Sequence, residues 1–291
     1  MTYLVHLLTI ADIYILLAVS LDMLVGLTGL MSLAHAVFFG IGAYSTAILT
    51  RHGFAPLVAL AVGIILAALS SIVIALPSLR VRGIYLLIVT IAVQTVFTVA
   101  LLNLSDLTGG PGGLANIVPL SLFGVPLRGV GFLVAATVAA IVICWTCWRL
   151  SVSPFGQLLQ AVRDDETGCL MLGKNVSWAK ISVFAFSGGI AAIAGSLYAH
   201  YTSYVDPRGF DIVVSISILL MVMLGGSGTV YGPVAGAVIL TLLPEFLRFV
   251  PAPPGAAGAS RQIIYGVLLV SLVFFRPQGL LGRKLRQSHA G

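Results

Sequence analysis

The sequence predicts an all-α polytopic membrane protein with about nine transmembrane helices, within a range of eight to ten. Hydrophobic residues make up 59% of the 291 residues, charged residues only 8%, and the mean hydropathy is +1.11. Apolar runs of about 20 residues, the length that crosses a bilayer, recur along the whole chain. A soluble domain of this size could not bury so much apolar surface. We therefore treat residues 1–291 as a single transmembrane domain.

Windows of about 20 apolar residues give the predicted spans. They lie at 5–25, 30–49, 55–77, 83–103, 129–149, 180–200, 210–226, 231–250 and 262–275. The strongly apolar part of 210–226 is short, so a re-entrant loop is the alternative there. A re-entrant loop would put the basic C-terminal tail outside, against the positive-inside bias, which favours a span.

The 15 Lys and Arg residues divide unevenly between the two sides of this map. One side holds Arg80, Arg82, Arg149, Arg163, Lys174, Lys180, Arg276, Arg283, Lys284 and Arg286. The other side holds Arg51, Arg128, Arg208, Arg248 and Arg261. Because basic residues favour the cytoplasmic side, we expect the N-terminus outside and the C-terminus in the cytoplasm.

The longest predicted cytoplasmic segment, residues 151–179, has a pattern of its own. Ser153 followed by Pro154 is typical of a helix N-cap with Pro at the first helical position. An apolar stripe at helical spacing follows, formed by Phe155, Leu158, Leu159 and Val162. These features predict an amphipathic helix that begins at the Pro.

Continuing that helix would place Glu166 in the middle of the apolar stripe. A carboxylate there is either paired, or the helix breaks just before it. Asp164 or Asp165 would then cap a second short helix over residues 167–172, and Gly173 would end it. Four charged residues stand side by side here, at 163–166. They favour a protein partner, because an anionic leaflet repels acids, while an amphipathic helix on the membrane surface stays the alternative.

Two stretches, 26–44 and 224–238, are rich in Gly and small residues near span ends. Non-helical backbone at membrane depth is tolerated where it is buried in protein or lines a watery cavity. The candidate pathway or helix-break residues are Gly26, Gly29, His35, Gly225, Gly226 and Gly228. Close helix packing is the favoured interpretation for most of these glycines, and for the stretch 186–195 as well.

Chemistry-bearing residues are sparse elsewhere. Asp12, Asp22 and His35 fall inside spans and call for a functional hypothesis, although a proton-coupled carrier would be expected to show more such groups. Cys144 and Cys147 form a CxxC that we interpret as two buried small residues. The sequence has no phosphate-binding loop with its Lys, no metal-ligand cluster and no nucleophile motif, so it predicts no catalytic site and no metal site.

Six stretches in order resemble the permeases of branched-chain amino-acid ABC importers, specifically the LivM-like half of the LivHM subfamily. They are GLTGLMSLAHAVFFGIGAYSTAIL, LRVRGIYLLIVTIAVQ, TGGPGGL, the long run from SPFGQLLQAVRDDETGCLMLGKN to SLYAH, SILLMVMLGGSGTVYGPVAGA and FRPQGLLG. The resemblance covers residues of about 20 to 282.

The resemblance implies a bacterial inner-membrane permease that works with several partners. These are a second homologous permease, two cytoplasmic ATPase subunits that bind the ATP, and a periplasmic or extracellular solute-binding protein. No cofactor on this chain and no nucleic acid are implied. The function implied is uptake of branched-chain amino acids or related small polar solutes, and urea, short amides and aromatic acids remain open. The alternative is a stand-alone secondary transporter or channel.

By resemblance, segment 151–179 is the element that couples the permease to the ATPase. The family pattern R-D-N-E followed by L-G-x-N matches Arg163, Asp164, Glu166, Gly173 and Asn175. The chain has Asp165 where Asn is common, and Gly168 and Cys169 where two alanines are typical. The predicted coupling residues are Arg163, Asp164, Asp165, Glu166, Gly173 and Asn175. We expect the acids, Glu166 among them, to meet basic side chains of the ATPase.

Overall fold

A computed structural model of the chain describes residues 2–79, 81, 83–122, 125–248, 266 and 280. The last predicted span, 262–275, therefore lies outside the described residues, apart from Gly266. The basic residues from 261 onwards also lie outside them. Arg80 and Arg82 do so as well. The described part holds eleven α-helices. They are α1 (Thr2–Thr28), α2 (His35–Arg51), α3 (Pro56–Ser78), α4 (Ile84–Asn103), α5 (Ser105–Thr108), α6 (Val130–Val152), α7 (Pro154–Asp164), α8 (Glu166–Met171), α9 (Val176–Thr202), α10 (Ile212–Gly225) and α11 (Tyr231–Arg248).

Among the described residues, strands form only four two-residue pieces, at one end of the helices. β1 (Leu114–Ala115) pairs antiparallel with β4 (Tyr204–Val205), which follows α9. β2 (Ser121–Leu122) pairs with β3 (Val125–Pro126). His6 and Tyr201 also meet at this end, with 2.8 Å between Nδ1 and the hydroxyl oxygen. The start of α1 therefore lies beside the end of α9.

The all-α membrane architecture is confirmed. Five described helices, α1, α3, α4, α6 and α9, are long and apolar enough to cross a membrane. The apolar helices α10 and α11 are shorter. The 14 residues of α10 span about 21 Å at 1.5 Å per residue, against a hydrocarbon core of about 30 Å. The predicted span at 210–226 is therefore a short helix.

The predicted span at 30–49 is wrong at its beginning. Helix α1 continues to Thr28, and the backbone is then non-helical until α2 begins at His35. Gly29 has a φ of +69°, in the left-handed region that a helix cannot continue through. Hydropathy could not show this break, because Leu30, Met31 and Leu33 are as apolar as a helical residue would be.

A buried polar cluster holds the beginnings of α2 and α10 against α4. The Ser215 hydroxyl accepts from the backbone N–H of Ala36 (2.9 Å) and donates to the side-chain oxygen Oε1 of Gln94 (3.3 Å). Gln94 Nε2 in turn donates to the Phe210 carbonyl (2.7 Å), and both Gln94 and Ser215 are fully buried. These bonds satisfy backbone groups where the chain is not helical, as an apolar environment requires.

Helix α9 is the centre of the packing and lies against α1, α2 and α3. Glycines let these helices approach closely. A Cβ added at Gly195 would clash with the Phe39 carbonyl, and one at Gly42 would clash with the backbone of Ala192. The close-packing interpretation of the stretch 186–195 is therefore confirmed at Gly195. Helices α3, α4 and α6 carry many exposed apolar side chains, as expected of helices that face lipid.

Candidate functional site

Segment 151–179 has the predicted shape of a helix, a break and a second helix. The Ser153 hydroxyl accepts from the Gly156 N–H (3.2 Å) and caps α7, with Pro154 at the first helical position. The Asp165 carboxylate accepts from the Gly168 N–H (2.9 Å) and caps α8. Of the two acids that could cap the second helix, the structure selects Asp165.

The second half of the segment is closed by Gly173 and Asn175. Gly173 has a φ of +71°, and the next N–H, of Lys174, bonds to the Cys169 carbonyl (3.0 Å). This bond pattern is the common glycine ending of a helix. The Asn175 side chain accepts from the Trp178 N–H (2.9 Å) and caps α9. Three of the predicted coupling residues therefore fix the backbone of the segment itself.

The apolar stripe of α7 faces the rest of the protein. Leu159 and Val162 are buried, and Phe155 and Leu158 are half-buried. The Phe155 ring packs edge-on against Trp178, with the ring centroids 5.4 Å apart. The stripe thus holds the segment against the span ends and leaves its other side open.

The open side carries an apolar tip, residues 170–172. Leu170, Met171 and Leu172 are all exposed, Met171 by 83%. Asp164 of the same segment is also exposed, and its side chain is 68% accessible. The segment therefore presents apolar side chains and a carboxylate on a backbone that caps hold in place.

Glu166 is paired within the chain, and its predicted contact with a basic residue of the ATPase stays a prediction. Lys180 Nζ lies 2.8 Å from Glu166 Oε1, and the two side chains are only 3% and 16% exposed, respectively. The helix break and the pairing, which the sequence offered as alternatives, both occur. Lys180 was missed as a partner, although it is a lone Lys in the first turns of an otherwise apolar helix.

Arg163 reaches from α7 to the end of α1. Its Nη1 donates to the Gly26 carbonyl (2.6 Å), and its Nε lies 3.1 Å from Asp164 Oδ1. Gly29 lies against the same side chain, since a Cβ there would be 3.0 Å from Arg163 Cγ. The guanidinium therefore satisfies one of the last carbonyls of α1, which no helical N–H reaches.

Asp22 connects α1 to the turn between α10 and α11. It is 1% exposed, and its Oδ1 accepts from the Gly228 N–H (2.9 Å). A Cβ at Gly26 would clash with Asp22 and with the backbone of Gly228. We call Asp22, Gly26, Gly29, Arg163 and Gly228 the glycine junction. It joins residues from both Gly-rich stretches to segment 151–179.

The other candidate residues lie outside the glycine junction. Gly226, with a φ of +102°, follows α10, and Gly225 packs against the backbone of Gly232. His35 is fully buried at the beginning of α2, with its Nε2 2.6 Å from the Ser20 hydroxyl. A role for these residues in a pathway stays a prediction, while the close contacts of Gly26 and Gly225 fit the packing interpretation.

The remaining ionisable groups build no catalytic cluster in the described part of the chain. Asp12 accepts from the Thr137 hydroxyl (2.6 Å) beside a groove of about 350 Å³ between α1, α6 and α11. Cys144, Cys147 and Cys169 are free thiols. No three His, Cys, Asp or Glu residues come together as metal ligands among the residues described.

These features define a polytopic helical membrane protein with a structured segment at one end. Residues 3–273 match the family model described as branched-chain amino acid transport system / permease component. The chain therefore belongs to this family. It is a permease subunit of an ABC importer and a multi-pass inner-membrane protein, and transport rather than catalysis is its role.

The relatives include permeases from bacteria and an archaeon. The chain is 31% identical to the high-affinity branched-chain amino acid permease LivM of Escherichia coli K12, over 94% of this chain and 68% of that protein. It is 27% identical to a probable LivM of Methanocaldococcus jannaschii, over 91% of this chain and 84% of that protein. The autoinducer 2 permease LsrC of Salmonella paratyphi B is 28% identical over 62% and 51% of the two chains. No solved structure matches the chain.

Proposed function

We propose that this permease takes up branched-chain amino acids or related small polar solutes that an external binding protein delivers. In this proposal it pairs with a second homologous permease and with two cytoplasmic ATPase subunits that hydrolyse ATP. The observation that carries the proposal is the likeness to LivM of Escherichia coli along nearly the whole chain. The LsrC relative, whose name gives a different solute, matches a smaller part of the chain.

The experiment is uptake of labelled leucine by proteoliposomes that hold the complete complex. Uptake that requires both ATP and the binding protein is expected. If the complex takes up urea, a short amide or an aromatic acid but not leucine, the substrate is that solute and not a branched-chain amino acid. The same chain reconstituted alone is expected neither to hydrolyse ATP nor to accumulate solute, because the sequence has no phosphate-binding loop.

Uptake by the chain alone under a proton gradient would favour the alternative of a stand-alone carrier. The buried acids Asp12 and Asp22 are the observation behind that alternative, since intramembrane acids often mark ion pathways. Both acids, however, accept hydrogen bonds from groups of this chain, Thr137 and Gly228. These bonds give each acid a structural role without proton transfer.

Segment 151–179 is proposed to dock on the ATPase through its apolar tip, residues 170–172. The support is the exposure of three consecutive apolar side chains on a capped, packed segment. Exposed apolar patches commonly mark protein interaction sites. A surface helix that used this tip to enter the membrane would bring Asp164 and Asp165 to the anionic headgroups, which repel them.

The change Met171→Asp is expected to weaken co-purification of the ATPase subunits strongly. Burying a carboxylate in an apolar contact, or truncating a central anchor, removes about 2 kcal/mol or more, roughly a 30-fold loss of affinity. Thr167→Asp is the matched control, because it adds the same charge at an exposed position of α8. Equal co-purification of the Met171→Asp and wild-type chains would contradict docking through the tip.

The proposed orientation, with the N-terminus outside and the C-terminus in the cytoplasm, can be tested with single cysteines. Met171 lies in the segment at one end of the bundle, and Arg208 is exposed near β4 at the opposite end. An impermeant thiol reagent should label Met171→Cys only from the cytoplasm and Arg208→Cys only from outside, as the charge bias requires. Labelling of both positions from the same side would refute the map.

A further inference from the structure

We propose that Arg163 and Asp22 are positioning residues that pass a displacement of the cytoplasmic segment to the turn between α10 and α11. The proposal rests on the proposed docking of segment 151–179 on an ATPase and goes further, because it assigns the route into the membrane-embedded part. It makes the glycine junction a mechanical connection between three elements that are far apart in sequence.

The first half of the connection is Arg163. The residue lies in the last turn of α7, yet its guanidinium leaves the segment and donates to the Gly26 carbonyl near the end of α1 (2.6 Å). A cation is favoured there, because the carbonyls at a helix C-terminus carry partial negative charge. Any movement of α7 therefore pulls on the end of α1 through a charge-assisted bond.

The second half is Asp22, one helical turn before Gly26. Its buried carboxylate accepts from the backbone N–H of Gly228, in the turn between α10 and α11. Gly228 has a φ of +84°, a conformation in which other residues are strained. Two successive turns of α1 thus hold α7 through Arg163 and the α10–α11 turn through Asp22.

The glycine junction leaves little space for these contacts to relax independently. A Cβ at Gly26 would clash with both Asp22 and the Gly228 backbone, so the two backbones already touch. The aliphatic part of the Arg163 side chain packs against Gly29. A Cβ added at Gly29 would lie 3.0 Å from Arg163 Cγ, which is about the shortest distance at which a Cβ contact occurs. Closely packed contacts of this kind transmit a shift as a unit instead of deforming continuously.

The far end of α10 shows where such a shift arrives. Ser215, in the first turn of α10, accepts from the Ala36 N–H at the start of α2 and donates to Gln94 of α4. A displacement of α10 therefore reaches the place where the backbone between α1 and α2 is not helical. Irregular backbone at membrane depth is tolerated where it lines a cavity or is buried in protein, which makes this region a candidate part of the transport pathway.

The experiment measures thiol labelling in the complex co-expressed with its ATPase subunits, in a background without Cys144, Cys147 and Cys169. One cysteine replaces either Thr167, exposed on α8 outside the apolar tip, or Ser227, in the α10–α11 turn. Labelling rates are compared without nucleotide and with a non-hydrolysable ATP analogue. In the otherwise unchanged chain both rates are expected to respond to the nucleotide.

Arg163→Ala and Asp22→Ala are each expected to keep the response at position 167 and to reduce the response at position 227 about fivefold or more, the lower end of typical coupling between sites. Asp22→Asn keeps an oxygen for the Gly228 N–H and should keep the response. Arg149→Ala removes an exposed cation at the end of α6 and is the matched control for Arg163. Should Arg163→Ala lower the yield of folded complex, Arg163→Met provides the same test with a longer side chain that has no hydrogen-bond donor.

An unchanged response at position 227 in Arg163→Ala or Asp22→Ala would overturn the inference. So would a parallel loss of both responses, because a residue that only stabilises the fold would affect positions 167 and 227 together. A complex without these substitutions in which position 167 does not respond to nucleotide would instead refute the docking of the segment, and the inference with it. The two failures are therefore distinguishable by which cysteine stops responding.

Discussion

Replacing Lys180 with Met is expected to destabilise the protein by about 3 kcal/mol, near the lower end of what breaking a buried ion pair typically does. Lys180 Nζ and Glu166 Oε1 are 2.8 Å apart, and the Lys side chain is 3% exposed. Methionine has a similar length, so it fills the same space but leaves the Glu166 carboxylate without its cation. Glu166 is 16% exposed, and its partial contact with water keeps the expected loss of stability below the top of the range for buried ion pairs.

The measurement is thermal unfolding of the purified chain in detergent. Lys174→Met is the control, because Lys174 is an exposed lysine in the same segment and its loss should change the unfolding temperature little. The double variant Glu166→Leu with Lys180→Met should recover most of the stability, since replacing both members of a buried pair is often neutral. An unfolding temperature of Lys180→Met equal to that of wild type would show that the pair contributes nothing.

The Glu166–Lys180 pair also determines which variants can test coupling. A change at Glu166 perturbs the packing of the segment on α9 before any partner is involved, so a loss of ATPase binding would be ambiguous. Asp164 is the better acid to change, because its side chain is 68% exposed and its ion pair with Arg163 is at the surface. Surface pairs of this kind contribute only about 0 to 1 kcal/mol to stability.

The shape of segment 151–179 could be predicted because capping is local. Ser153 bonds three residues ahead, Asp165 does the same, and Gly173 ends α8 through its own backbone conformation. A sequence pattern contains all of that information. The pairing of Glu166 with Lys180 depends instead on how α9 returns past α8, and no local pattern specifies that contact.

The membrane spans show the same division between local and distant information. Hydropathy located the long helices, because it measures transfer of side chains into lipid. It could not locate the break before His35 or the polar cluster of Gln94 and Ser215, which are 121 residues apart in sequence. The two Gly-rich stretches were evident from composition, but the contact of Gly26 with Gly228 exists only in the folded chain.

The change Gly195→Ala is expected to destabilise the contact between α2 and α9 by about 2 to 3 kcal/mol, the upper part of the range for overpacking a well-packed core. An added Cβ would clash with the Phe39 carbonyl and lie too close to the Ala43 nitrogen, and neither backbone atom can turn aside as a side chain would. Gly42 meets the backbone of Ala192 in the same interface, so the two helices are in contact through both of their glycines.

Gly189→Ala makes the identical chemical change six residues earlier on the same helix and serves as the control. Its Cβ would lie 3.4 Å from Ile64 Cγ2, a methyl group that can move by a few tenths of an ångström. Both substitutions gain up to about 1 kcal/mol of helix propensity, so the difference between them isolates the packing effect. Thermal unfolding in detergent should therefore show Gly189→Ala near wild type or above it and Gly195→Ala clearly below, and equal unfolding temperatures would mean that α2 and α9 separate more easily than their backbone contacts indicate.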